Sequence, residues 1–177
     1  NSGSGAGAIV SFAGSTAQTL GGTLGDFTGT NGFNHFEINN TAGLTIGNNT
    51  TIEIKGNLLL TNGIITTTST NMLSVVNTSI SAVIPTGGTS TSYVNGPMTK
   101  QFLNGNSFLY PIGKLAVGKG HDCTITSTAA ASSAWTVEYF NPNPTGIAAN
   151  LNNPLVVENM LEYWSVNTTA AKTAKIR

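Results

Sequence analysis

Residues 36–82 read FEINNTAGLTIGNNTTIEIKGNLLLTNGIITTTSTNMLSVVNTSISA, and their periodicity decides the fold. Apolar dyads spaced i, i+2 return along this stretch. Phe36 and Ile38 are followed 22 residues on by Leu58 and Leu60, and these by Ile80 and Ala82. Ile52 and Ile54 return after 21 residues as Leu73 and Val75, and a weaker set runs from Leu44 and Ile46 to Ile65 and Thr67. An i, i+2 dyad is a short strand with one face turned inward. Three such strands per repeat of this length predict a parallel β-solenoid, one coil stacked on the next. The expected inward columns are Phe36–Leu58–Ile80 and Ile52–Leu73.

Working outward, turn residues separate the strands at Asn39-Asn40, Gly47-Asn48-Asn49, Gly56-Asn57, Asn62-Gly63 and Asn77. Gly and Asn tolerate the positive φ that sharp corners require. Upstream, Ile9, Val10 and Phe12 begin a strand, but Leu20, Leu24, Phe27 and Phe33 lie among many Gly and Thr. Residues 1–34 are therefore expected to form an irregular lead-in or cap. Downstream, Pro85-Thr86-Gly87-Gly88-Thr89-Ser90-Thr91-Ser92 has linker composition. The solenoid is accordingly placed at residues 35–92, and an antiparallel, sandwich-like β-domain at 93–177. Longer strands are predicted there at Cys123–Thr128, Trp135–Phe140 and Glu162–Asn167, with a fragment at Thr173–Arg177. Leu155–Leu161 reads as one helical turn or a strand. The chain opens without Met and ends on Lys175-Ile176-Arg177, the pattern of a strand cut mid-course, so a segment of a longer polypeptide is expected.

Composition removes several function classes. Charged residues make up 8% of the chain and the formal net charge is zero, against roughly 25% charged residues in an average soluble domain. Nucleic-acid binding has no electrostatic support. Thr, Asn, Gly and Ser account for 84 of 177 residues, a surface suited to β-coils with polar turns. The apolar 39% is periodic, unlike a disordered polar chain. One cysteine, Cys123, excludes an internal disulfide. No run of 18 apolar residues signals a membrane helix.

Chemistry-bearing residues are sparse. The acids Asp26, Glu37, Glu53, Asp122, Glu138, Glu158 and Glu162 are scattered, whereas polysaccharide cleavage needs carboxylates converging on one face. His121-Asp122-Cys123 is the one cluster of ligand-type side chains. Adjacent strand residues face opposite ways, so it reads as a loop leading into a strand with a buried Cys123. No Asp-rich loop suggests calcium. No catalytic or metal-binding residue and no cofactor is assigned. Trp135 and Tyr139 share one strand face and, with Trp164, are the candidates for stacking on a sugar; core packing is the default role of such large aromatics, and Trp135, Tyr139 and Tyr163 are expected in or near the core. Thr50-Thr51 and Thr66-Thr67-Thr68 raise an ice-binding reading, which needs Thr in register on three or more coils, and the repeat shows no such register.

From about residue 33 the chain resembles a repeat region of very large secreted surface proteins of the Bacteroidota, exported by the type IX system. The resemblance rests on Phe33–Asn40 (FNHFEINN), Gly56–Ile65 (GNLLLTNGII), Ser92–Met98 (SYVNGPM), Tyr110–Lys114 (YPIGK), Glu138–Pro144 (EYFNPNP) and Glu162-Tyr163-Trp164. It departs after Lys114, where the family continues with an aromatic-Arg-Pro element and this chain reads LAVGKGHDC. The resemblance implies an extracellular, cell-surface, non-catalytic module of an adhesin-like or filament-forming protein. Expected partners are copies of itself or neighbouring modules, with a target glycan as a further candidate; neither nucleic acid nor membrane insertion is expected. A carbohydrate-binding module and an ice- or surface-binding solenoid are the competing functions.

Overall fold

In a computed structural model of the chain, residues 7–21, 27–129, 131–141, 162–169 and 173–177 are described. Among them the one helical element is the 3-10 turn Gly29–Asn31. No helix among the described residues is long and apolar enough to cross a membrane. The Leu155–Leu161 expectation lies outside the described residues.

The apolar dyads form three sheets that share one interior. The first sheet stacks β1 (Ile9–Gly14), β3 (His35–Asn40), β6 (Leu58–Asn62) and β9 (Val83–Ile84), all parallel. The second stacks β2 (Gln18–Leu20), β4 (Leu44–Ile46), β7 (Ile65–Thr66), β10 (Val94–Asn95) and β13 (Ile112–Lys114) in parallel, with β14 (Gly118–Lys119) antiparallel at its edge. The third stacks β5 (Ile52–Ile54), β8 (Leu73–Val75) and β11 (Met98–Phe102) in parallel. The antiparallel strands β16 (Ser133–Phe140) and β17 (Tyr163–Thr168) then extend it. A separate antiparallel sheet joins β12 (Ser107–Tyr110), β15 (Cys123–Ser127) and β18 (Ala174–Ile176). The fold is a β-solenoid with antiparallel sheets on its later strands.

Two columns follow the predicted register. Phe36 and Ile38 lie opposite Leu58 and Leu60, and Ile52 and Ile54 opposite Leu73 and Val75; all eight are buried. The third step of the first column does not. Leu58 pairs with Val83, not Ile80, which is 51% exposed. Asn77 Oδ1 accepts from Ser79 N and the Ala82 amide donates to Ser79 O. This extra turn adds three residues to the coil and moves Ile80 outside.

Residues 9–20 differ from the expected irregular cap. β1 and β2 pair in parallel with the next coil, and Phe27 and Phe33 bridge to Ile52 and Ile54. The solenoid thus starts at β1. It also runs past residue 92, because β10 and β11 keep the parallel pairing. One apolar core extends from Phe33 to Tyr139, so the later strands are built onto the solenoid and share its interior. Two of the expected corners use positive φ, whereas Asn39 and Asn40, expected as a turn, end strand β3. Asn48 and Asn49 sit at φ +59° and +53°. Gly63, at φ +99°, lies so close to the neighbouring coil that a Cβ would fall 1.8 Å from Asn40 O.

Candidate functional site

Strand alternation divides the aromatics of β16 and β17 between two environments. Trp135, Val137 and Tyr139 face inward, and Thr136, Glu138 and Phe140 face outward. Trp135 is 5% exposed and its Nε1 donates to Ser133 Oγ at 2.8 Å. Tyr139 is 3% exposed and packs on the half-buried Trp164, ring centroids 6.0 Å apart. Of the expected sugar-stacking set, Trp135 and Tyr139 are therefore core and Trp164 packs partly buried against them: the rings lie on the sheet face that closes the interior. Burial of apolar ring area fixes that choice of face.

The outward face carries a different arrangement. In the β16–β17 register Phe140 lies opposite Tyr163, Glu138 opposite Ser165, and Thr136 opposite Asn167. The Phe140 and Tyr163 rings stack 4.7 Å apart and 6° from parallel. Lys114 Nζ stands 4.8 Å from the Phe140 centroid and 2.6 Å from Glu138 Oε1. Beside this pair a cleft of about 240 Å³ is lined by Met72, Pro97, Thr136, Glu138, Ser165 and Asn167.

A second, larger cleft of about 480 Å³ lies at the C-terminal end of β16, bordered by Val117, Lys119, His121, Tyr139, Asn141 and Glu162. The Glu162 carboxylate accepts from the Tyr139 hydroxyl at 2.7 Å and meets His121 Nδ1 at 2.5 Å. Lys119 Nζ pairs with Asp122 at 2.7 Å. Gly120 lies flat against the Tyr139 ring, where a Cβ would meet ring carbons at 2.7–2.9 Å. The ring and the carboxylate thus hold the 119–122 loop in place. Burial and the Glu162 carboxylate raise the Tyr139 pKa, since both disfavour a phenolate. His121 and Glu162 are 41 residues apart, and no spacing rule links them. The earlier signal at His121-Asp122-Cys123 finds its partner only through the β16–β17 pairing.

Other titratable residues tie neighbouring coils together. His35 Nδ1 accepts from Asn57 N at 2.9 Å, tying two coils at a corner. Glu37 Oε1 accepts from Thr61 Oγ1 at 2.7 Å, which lowers its pKa, and Glu53 Oε2 accepts from Gly29 N at 2.6 Å. Glu37 lies on the first sheet and Glu53 on the third, so these two carboxylates do not converge. Cys123 is buried, and desolvation lifts its thiol to about 11, far from a nucleophilic thiolate. Among the described residues no three His, Cys, Asp or Glu side chains group as a metal site.

Two features had no signal in the sequence. Lys100 is fully buried in the column that continues Ile54 and Val75. Thr19, Thr45 and Thr66 lie in register on three successive coils of the second sheet, followed by Asn95. The spacings along that column are 26, 21 and 29 residues, so a fixed repeat does not find it. No protein family, curated protein or solved structure matches this chain.

Proposed function

We propose that the chain is a non-catalytic structural module of a long extracellular surface protein, acting in a stalk, filament or adhesive fibre. The observation that carries this reading is the stacking of coils in three parallel sheets around one uninterrupted core. Such a body gains its core by adding coils along one axis, and so spans distance. The near-absence of charge leaves backbone pairing, Thr and Asn hydrogen bonds and apolar contact as the means of association, with copies of itself or with neighbouring modules. The ordered likeness to the type IX-exported repeat region supports the same assignment. The test is imaging and light scattering of the intact parent protein. An elongated particle at the cell surface, with contacts little changed between low and high salt, is expected; a compact monomer, or turnover of a polysaccharide abolished by Glu37→Gln or Glu53→Gln, overturns it.

The Thr19–Thr45–Thr66 column favours a second reading, an ice- or surface-binding solenoid, because stacked coils repeat a hydroxyl about every 4.8 Å. Measurable thermal hysteresis lost in Thr45→Leu would support it, and none at millimolar protein would remove it.

A further inference from the structure

We infer that the outward face of β16 and β17 binds a short stretch of an extended, uncharged glycan chain, its polar groups in the Thr136–Glu138–Ser165–Asn167 cleft and one sugar ring against the Phe140–Tyr163 stack. Four observations carry the inference independently of the stalk reading.

The first is composition. The cleft offers hydroxyls, an amide and a carboxylate over an apolar wall of Met72 and Pro97. Sugars ask for that mixture, since each ring presents both hydroxyls and a face of C–H groups. The second is unused hydrogen-bonding capacity. Thr136 Oγ1 shares one bond with Thr99 Oγ1 at 2.7 Å, and Asn167 Nδ2 donates to Ser165 Oγ at 2.9 Å. A hydroxyl has one donor and two acceptor positions and a carboxamide has two of each, so one bond apiece leaves both kinds over.

The third is charge. Glu138 is held by Lys114, and the same ammonium lies over Phe140. The described lining is thereby neutral, and among the described residues no further cation borders the cleft to receive an acidic polymer. The fourth is shape. The cleft, at about 240 Å³, is below the ~300–1,000 Å³ of pockets that engulf a whole small molecule. The Phe140–Tyr163 pair lies two residues along the strands from the Glu138–Ser165 pair and four from Thr136–Asn167. The face therefore runs roughly 13 Å at the strand rise of about 3.3 Å per residue. A linear chain lying along the strands fits this; a compact ligand does not.

The test is a chemical-shift titration of the 177-residue chain with cellohexaose, xylohexaose and chitohexaose, with polygalacturonate as the anionic comparison. At least one neutral hexasaccharide is expected to move the amides of Thr136, Tyr163 and Ser165 with millimolar or tighter affinity, unchanged by salt. Tyr163→Ala and Thr136→Val should each weaken binding about tenfold or more, and Glu37→Gln, on another sheet, should leave it intact. A dispersed amide spectrum checks that each variant folds. If Tyr163→Ala does not fold, Thr136→Val and Ser165→Ala decide. Silence with all three neutral sugars, binding undiminished in the face variants, or salt-sensitive preference for polygalacturonate would each overturn the inference.

Discussion

Lys100→Met, followed across alkaline pH, tests how the solenoid core tolerates a charge. Lys100 follows Ile54 and Val75 in an otherwise apolar column, and none of its surface is exposed. Its Nζ lies 2.5 Å from both Asn77 O and Gln101 O and 5.2 Å from the Phe108 centroid. Among the described residues no carboxylate pairs with it. Burial accordingly lowers its pKa from 10.5 to about 8. Below about pH 8 the group is charged in both folded and unfolded chains, and the fold carries the whole desolvation cost. Between about 8 and 10.5 the folded chain has released a proton that the unfolded chain keeps, so stability rises with pH. Above 10.5 both forms are neutral and that cost is gone. At 1.36 kcal/mol per pH unit, the shift amounts to about 3 kcal/mol.

Methionine keeps the length of the side chain and removes the ammonium, but it leaves two carbonyls without their donor, at about 1–3 kcal/mol each. Near neutral pH the two effects roughly cancel, as is common when a buried charge is replaced by an apolar isostere. At high pH the neutral lysine amine still donates to the carbonyls, so the variant falls behind. The stability difference, wild type minus Lys100→Met, is therefore expected to grow by about 3 kcal/mol between about pH 8 and 10.5. Urea unfolding followed by tryptophan fluorescence reads it directly. Subtracting the variant removes the opposing trend from Tyr93, Tyr110 and Cys123, whose raised pKa values make stability fall as pH rises. Parallel profiles for the two proteins, or a difference that shrinks with pH, would refute the reasoning.

Leu58→Ala should cost about 2–5 kcal/mol in the same urea assay, since Leu58 fills the column between Phe36 and Val83, whereas Ile80→Ala should stay within about 0.5 kcal/mol. Gly63→Ala is expected to cost well over about 1 kcal/mol, because a Cβ at φ +99° meets Asn40 O and the coils must part; a midpoint equal to wild type would contradict this. Cys123, with its thiol at about 11, should resist an aromatic disulfide reagent in the native protein at pH 8 and react fully in urea; rapid native labelling would place it nearer the surface.

Local strand chemistry was legible in the sequence, and coil length only partly. Phe36–Leu58 and Ile52–Leu73 come from neighbouring coils joined by short corners, where a fixed repeat holds. The next coil carries extra residues in the Asn77–Ala82 turn and in the Thr89–Ser92 hairpin. Loops of a solenoid lengthen without disturbing the stacked strands, so a constant period picked Ile80 where Val83 packs. The same irregularity hid the Thr19–Thr45–Thr66 column. Aromatic alternation in 135–140 was readable, and with it the core packing of Trp135 and Tyr139; Tyr163, expected in or near the core, instead stacks on Phe140 on the outward face. Trp135 and Tyr139 bury more apolar area than Thr136 and Glu138, and that difference, rather than the presence of rings, assigns the core face. The Glu162–His121 contact and the Phe140–Tyr163 stack arise from pairing across a long connection, which no local pattern encodes.

The change from parallel to antiparallel pairing at β11 explains how the coil stack ends on this side. A solenoid coil leaves strand edges whose N–H and C=O groups seek a partner. Another parallel coil would extend the rod; an antiparallel strand satisfies the same groups and supplies no further coil register. β16 takes this position on the third sheet and β14 on the second. Lys100 sits at that transition, in register with Val75 on one side and Trp135 on the other, with its ammonium at the Asn77 and Gln101 carbonyls. An aliphatic residue there would continue the column as a plain coil does. The lysine instead provides donors to carbonyls at the point where the pairing direction changes, so the residue least suited to a hydrophobic column stands at the strand where parallel stacking in the third sheet stops.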